Sequence, residues 1–454
     1  MAFLRPVKLR NGWRGKRGEI ALKFNDLHRI VKIRIFVMFL FGTAQATTTP
    51  FMAIYFAKNF GSALAGVLLT VSIAASLLSG LVGGYYADRI GRRKLMILSE
   101  LVFLIAYLAM AAGNSPWLNS PGLTFASFMI TNVCWGVYGP ADEAMLLDVT
   151  EPSQRQYVYG LFYWMFNLTM ALGASLGAAL FESFRFELFA AGAVVLVITL
   201  ITTVVWIQET YRPPSEGSER LDSASRVPML FGIVRSYAGV LKDKTFLTYT
   251  LAGMLGMAVE FQLPNYIGIH LESHLREQVM QLFGHPLFHV DGVKMIGLLQ
   301  TENTVLVVLF AGLATRLAQR SSERTVLFIG VLFNVMGYTL MILTQSPAAL
   351  ALLMLFSTLG EVYSVPVRQA YLGDLAPVHA RSSYLAVNGM TFGGSRVLAS
   401  LGVVVGAYLP VWGMGVLSLT FGFIAVVLYQ VIVPHVHTRR LAEQNPQCAS
   451  SALA

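Results

Sequence analysis

Apolar stretches, most of them close to the roughly 20 residues that span a bilayer core, alternate with short polar turns along nearly the whole chain. They cover about 31–57, 64–87, 95–113, 122–147, 156–181 and 187–207, and then about 245–270, 293–317, 325–344, 348–372, 382–408 and 412–433. Between the two sets lies 208–243, rich in Glu, Arg and Pro and without a spanning run. The pattern divides the chain into a basic arm (1–30), a six-segment half (31–207), a linker (208–243), a second six-segment half (244–433) and a polar tail (434–454) that is expected to be mobile. The first segment contains Pro50, which bends a helix and frees backbone groups that Thr47 to Thr49 can satisfy.

The halves are related. A shift of 226 residues lays Pro140 on Pro366, Ala144 on Ala370, Asp148 on Asp374 and Arg155 on Arg381. Parallel repeats of this kind point to a transporter with its site at the repeat interface. The expected fold is therefore all-α and integral to the membrane, with twelve transmembrane helices in two pseudo-symmetric six-helix halves.

Composition agrees. The chain of 454 residues is 55% hydrophobic and 13% charged, with mean hydropathy +0.61, against about 25% charged in soluble domains. A net charge of +9 would suit nucleic acid, but the cations lie in turns between apolar runs, so no nucleic-acid partner is expected. With both termini inside, 28 of the 33 Lys and Arg fall on the inner side and 4 on the outer. This positive-inside bias predicts cytoplasmic termini and a multi-pass protein of the plasma (inner) membrane. No cleavable signal sequence is read at the start. Cys134 and Cys448 support neither a disulfide framework nor a zinc motif.

The turn between the second and third segments reads Gly83-Gly84-Tyr85-Tyr86-Ala87-Asp88-Arg89-Ile90-Gly91-Arg92-Arg93-Lys94. Gly84, Asp88, Arg89, Gly91, Arg92, Arg93 and Lys94 fill the signature of the major facilitator superfamily, which this chain resembles over 30–433. Finer similarity, at Lys242 to Phe246 and from Pro366 to Tyr384, runs to bacterial drug:proton antiporter-type multidrug-resistance exporters. There are departures. Segment 122–147 lacks the mid-helix arginine common in that branch, and Gly173 to Ala178 lacks the Gly-Pro of the antiporter motif. In the second-half copy of the signature Gly312 matches Gly84, but Arg316 stands where Asp88 does in the first.

The signature suggests an inner gate. Gly84 and Gly91 allow close approach and a tight turn. Asp88 is placed to pair with Arg92 or to face the positive end of a neighbouring helix; the resemblance implies the helix that starts near Arg381. Arg89 and Arg93 complete the gate set. Asp142 and Glu143 stand at places whose repeat partners are Arg368 and Gln369, so an ion pair between the halves is expected there.

Charges at mid-depth are costly and face a cavity or a partner. Glu260, Glu302, Glu361 and Arg396 qualify, and the resemblance favours Glu260 and Glu361 as cavity-lining. An acid that alternates between apolar and cationic surroundings loads and releases a proton. Glu302 or Glu361 is expected to do so, with Arg396 as partner. Gln45, Tyr138, Tyr163, Trp164 and Asn167 are candidates for the substrate path. Gly173 and Gly177, and Gly402 and Gly406, are spaced for close helix packing. His270 and His274, and His285 and His289, are each spaced to share a helical face; a short amphipathic outer element is expected rather than a metal site. No phosphate-binding glycine loop is present. No enzymatic activity, cofactor or metal is expected. The partners expected are a small-molecule substrate, protons and the lipid bilayer, and the chain is expected to act as a monomer.

The function read from these residues is secondary active transport by alternating access, as proton-coupled efflux of amphipathic small molecules. Export or flipping of an anionic metabolite or lipid is the alternative that Arg396 raises. A non-transporting membrane sensor is the alternative that the basic arm raises.

Overall fold

The computed structural model describes residues 24–151, 154–210, 240–282, 285–376 and 381–444. Most of the arm, most of the linker and the last ten residues of the tail lie outside the described residues. The first half consists of α1 (Arg29–Ala46), α2 (Met52–Phe60), α3 (Ser62–Ile90), α4 (Arg92–Gly113), α5 (Pro121–Asp148), α6 (Arg155–Leu180) and α7 (Arg185–Trp206). The second consists of α8 (Lys244–Glu260), α9 (Gly268–His274), α10 (Gly292–Ala318), α11 (Glu323–Ile342), α12 (Pro347–Leu375), α13 (Arg381–Gly406) and α14 (Val411–Gln444). Small antiparallel ribbons join α4 to α5 (β1 Asn114–Ser115 with β2 Leu118–Asn119) and α9 to α10 (β3 Gln278–Leu282 with β4 His285–Val290).

Among the described residues, eleven helices or helix pairs are long and apolar enough to cross a membrane. The twelfth, α5, carries Thr124, Thr131, Asn132 and Tyr138 among its apolar residues and lies among the others. Large apolar side chains such as Leu78, Val205 and Phe423 remain exposed, which lipid accepts and water does not. The end of the bundle where α1 begins and α14 finishes gathers the cations; it is called here the basic end, and the opposite one the far end.

The first helix of each half is interrupted. Between α1 and α2 a 3-10 turn, Thr49–Phe51, holds Pro50, and Thr47 Oγ1 donates to the Ala44 carbonyl at 2.7 Å. Between α8 and α9 a π-helical turn, Leu263–Ile267, holds Pro264. The small-residue runs seat both breaks. A Cβ on Gly173 or Gly177 would lie 2.4 Å from Ala46 or from the Thr47 carbonyl, and one on Gly402 or Gly406 2.4 Å from Gln262 or 2.3 Å from Tyr266. Each run therefore packs within its own half.

The halves meet along two seams near the far end. On one, Thr70 Oγ1 of α3 lies 2.8 Å from Ser400 Oγ of α13. On the other, Ser175 Oγ of α6 lies 2.6 Å from Thr301 Oγ1 of α10. Toward the basic end, Gly160 of α6, Gly312 of α10 and Gly389 of α13 face open space. Among the described residues, these side-chain contacts between the halves lie toward the far end.

Two expectations are corrected here. Residues 434–444 are not a mobile tail: α14 runs through Pro434 to Gln444. His285 and His289 lie on strand β4, so they share no helical face.

Candidate functional site

Glu260 ends α8, just before the π-helical break. Glu361 and Arg368 lie seven residues apart on α12, which puts them on one helical face. The two carboxylates and the guanidinium interact electrostatically with one another. Asn303 Nδ2 of α10 donates to Glu361 Oε2 at 3.1 Å and to Thr358 Oγ1 at 3.0 Å. Tyr249 Oη donates to the Arg368 carbonyl at 2.9 Å, and Tyr429 faces the Arg368 side chain. Arg368 Nε is buried without a partner. The cluster holds two acids and one base, so one added proton or cation neutralises it.

The expected ion pair between the halves is not formed. Asp142 is paired with Arg34 of α1 in its own half, Glu143 is exposed, and Arg368 sits with the two acids of the other. Arg396 does not partner Glu302 or Glu361 either: among the described residues it makes no ion pair, and the cation near Glu361 is Arg368. Glu302, next to Asn303 in sequence but turned about 100° around α10, stays outside the cluster.

Sequence reasoning missed two groups. Arg34 falls among the inner cations by its place in the sequence, yet it is 3% exposed, as are Tyr138 and Glu100 of α4. Arg34 Nη1 donates to Tyr138 Oη at 2.6 Å, and Tyr138 makes a long 3.4 Å bond to Glu100 Oε1. Tyr138 is therefore part of a buried network, not of an open path. Glu100 carried the same signal as Glu260, a carboxylate inside an apolar segment. The second missed group is at the far end. There Lys58 Nζ of α2 lies 2.7 Å from Glu182 Oε1 and 2.8 Å from Glu272 Oε1, the latter on α9 of the other half.

The sequence profile of the Major Facilitator Superfamily matches residues 35–284 and 279–451. The chain belongs to this superfamily. It is thus a multi-pass membrane transporter. A Na(+), Li(+), K(+)/H(+) antiporter of Planococcus maritimus is 31% identical over 409 residues, covering 89% of this chain and 95% of the relative. The multidrug resistance protein MdtH of Sodalis glossinidius is 27% identical over 360 residues, covering 76% and 78%. A crystal structure of a POT family transporter in complex with 5-aminolevulinic acid superimposes with a TM-score of 0.69 at 17% identity, covering 90% of this chain and 96% of that one. At that identity the likeness concerns the fold.

The superfamily signature closes through one residue. Gly91 has φ 99 and ψ 144, a region essentially reserved for glycine. A Cβ there would lie 2.5 Å from Glu209 Oε2. The Glu209 carboxylate needs that room, because it accepts from the Arg92 and Arg93 N–H groups, both at 3.1 Å, at the start of α4. Arg92 pairs with Asp148 and donates to the Ala144 carbonyl at 2.8 Å. Arg93 Nη2 donates to the Val204 carbonyl at 2.6 Å, in the last turn of α7. These two arginines tie the turn to α5 and α7. The side chains of Asp88 and Arg89, with Gly84 and Tyr163, lie outside the described ones.

The repeat partner of Asp148, Asp374, is met from elsewhere. Arg440 of α14 donates to it at 2.6 Å and to Glu323 at 2.6 Å. Its neighbour Arg439 forks onto Asp243, at 2.6 and 2.9 Å. Asp243 also caps α8 through the Phe246 N–H at 3.1 Å and accepts from Tyr384 Oη at 2.9 Å. Partial burial on its own would raise the Asp243 carboxyl; Arg439, the Phe246 N–H and Tyr384 outweigh it and hold the group below the ordinary carboxylate range.

Of the remaining path candidates, Trp164 is 50% exposed, while Gln45 and Asn167 are half-buried. His270 and His274 do share a face of α9, with ring centroids 4.4 Å apart, and Tyr266 stacks on His270. Among the described residues no group of three or more His, Cys, Asp or Glu is placed to hold a metal ion.

Proposed function

We propose that the protein is a proton-coupled antiporter that exports positively charged cargo by alternating access. The observation that carries this reading is the Glu260–Glu361 pair beside Arg368. With one guanidinium for two carboxylates, the cluster retains a site for one positive charge, filled in turn by a proton and by cargo. Rocking of the halves would expose that site first to one end and then to the other, and contacts between the halves at the far end are in keeping with one state of such a cycle. The excess of Lys and Arg favours a cytoplasmic basic end, and a plasma membrane is the setting this reading assumes. Each chain carries both halves, so a monomer suffices.

Amphipathic organic compounds are the first cargo class, in keeping with the relatives named for multidrug resistance. Exchange of monovalent metal cations is a second reading, favoured by the 31% identical relative named as a Na(+), Li(+), K(+)/H(+) antiporter. An acid pair with Asn303 and Thr358 oxygens close by suits either.

The test is proton movement in inverted vesicles energised to an acid interior. Addition of a lipophilic cation, or of Na+, Li+ or K+, is expected to release part of the gradient. The class that releases it identifies the cargo. A gradient unmoved by either class overturns the reading.

A further inference from the structure

The first half holds a buried charge cluster that the proposed exchange does not use. Glu100 faces Arg34 from α1, Tyr138 and Asp142 from α5, and Thr203 from α7. Thr203 Oγ1 donates to Glu100 Oε1 at 2.9 Å, and Tyr138 Oη reaches the same oxygen at 3.4 Å. Arg34 pairs directly with Asp142, donates to Tyr138 at 2.6 Å and lies 5.4 Å from the centre of its ring.

The count is again two acids to one base. Asp142 has the direct ion pair. Glu100 reaches the guanidinium only through the phenol between them. Glu100 Oε2 is buried and has no hydrogen-bond partner. A buried carboxylate oxygen left in that condition is costly. A proton on Oε2 removes the charge and leaves Oε1 as the acceptor that Thr203 and Tyr138 need. The cluster adjoins solvent at the basic end: the Asp142 side chain is 29% exposed, and Thr203 stands in the last turn of α7.

We propose that Glu100 is a second proton-exchanging site, in the opposite half from the Glu260–Glu361 pair. Its carboxylate takes H+ from water at the basic end onto Oε2 and returns it there, and no other bond changes. Ionised, Glu100 draws on Arg34 through Tyr138. Neutral, it leaves Arg34 to Asp142. The site thus adjusts how firmly α4 is held to α1 and α5. It does not depend on the cargo or on the other cluster.

Infrared difference spectroscopy of the purified full-length protein in lipid nanodiscs, stepped from mildly acidic to mildly alkaline pH, tests this. The expected result is a protonated-carboxyl C=O band that is lost on the alkaline side. It is missing from Glu100→Gln and kept in Glu260→Gln/Glu361→Gln. Identical carboxyl bands in the parent and Glu100→Gln overturn the proposal, and so does a Glu100 band that never changes with pH. Tyr138→Phe keeps the carboxyl and is expected to move the pH of the transition; an unmoved transition contradicts the Tyr138 link. Should Glu100→Gln fail to accumulate, Thr203→Val removes a donor and assigns the band by its frequency shift. A Glu100 band that persists while Glu260 and Glu361 contribute none counts against the exchange site alone, so the two ideas fail separately.

Discussion

Lys58 Nζ lies 2.8 Å from Glu272 Oε1, a bond that crosses from α2 of one half to α9 of the other. Glu182, 2.7 Å away in the same half as Lys58, steadies the ammonium. Opening the far end would separate Lys58 from Glu272 while Glu182 travels with it. Lys58→Ala and Glu272→Gln are each expected to favour the far-end-open state. A partly exposed ion pair contributes about 0.2–1 kcal/mol, so the shift is modest, about 1.4-fold to fivefold in population. Distances between spin labels on α2 and α9 measure it, and an unchanged distribution in both variants contradicts the latch.

Glu361→Gln is expected to abolish cargo-induced proton release, because it removes the acid that Asn303 holds beside Arg368. Glu302→Gln is expected to leave the signal in place, since Glu302 stands outside the cluster. The reverse result would move the exchange site to α10.

Gly91→Ala is expected to lower stability. The strained backbone costs roughly 1–3 kcal/mol, and the added Cβ meets Glu209. Thermal unfolding in detergent checks this. Glu209→Ala should relieve the contact but not the backbone strain, so the double variant remains less stable than Glu209→Ala alone.

Asp243 makes the sign of a pH effect definite. Its folded-state pKa lies below the unfolded value, so its contribution is present above the ordinary carboxylate range and fades as pH falls through the lower, folded value. The parent should therefore lose this increment below the ordinary carboxylate range. Arg439→Ala removes the fork onto Asp243 and is expected to cost about 1–3 kcal/mol at neutral pH, with the gap to the parent closing as Asp243 protonates. Unfolding midpoints measured across the acid range decide it.

Hydropathy, the signature turn and the uneven spread of Lys and Arg are properties of short stretches, readable without knowing what lies beside them. They are enough for the membrane, the twelve-segment plan, the superfamily and the break at Pro50; the matching break at Pro264 came only from the fold. Which charge meets which depends on the faces of helices far apart in sequence. A windowed apolar pattern averages those faces away. Arg34 read as a surface cation and is enclosed by α1, α4 and α5. Arg439 and Arg440 read as tail and staple α14 to Asp243, Asp374 and Glu323. Arg368 read as a link between halves and belongs with Glu260 and Glu361, because α8 and α12 lie in one half and meet at the Tyr249–Arg368 hydrogen bond. A desolvated charge takes whichever partner the packing brings within reach, and packing exists only in the folded bundle.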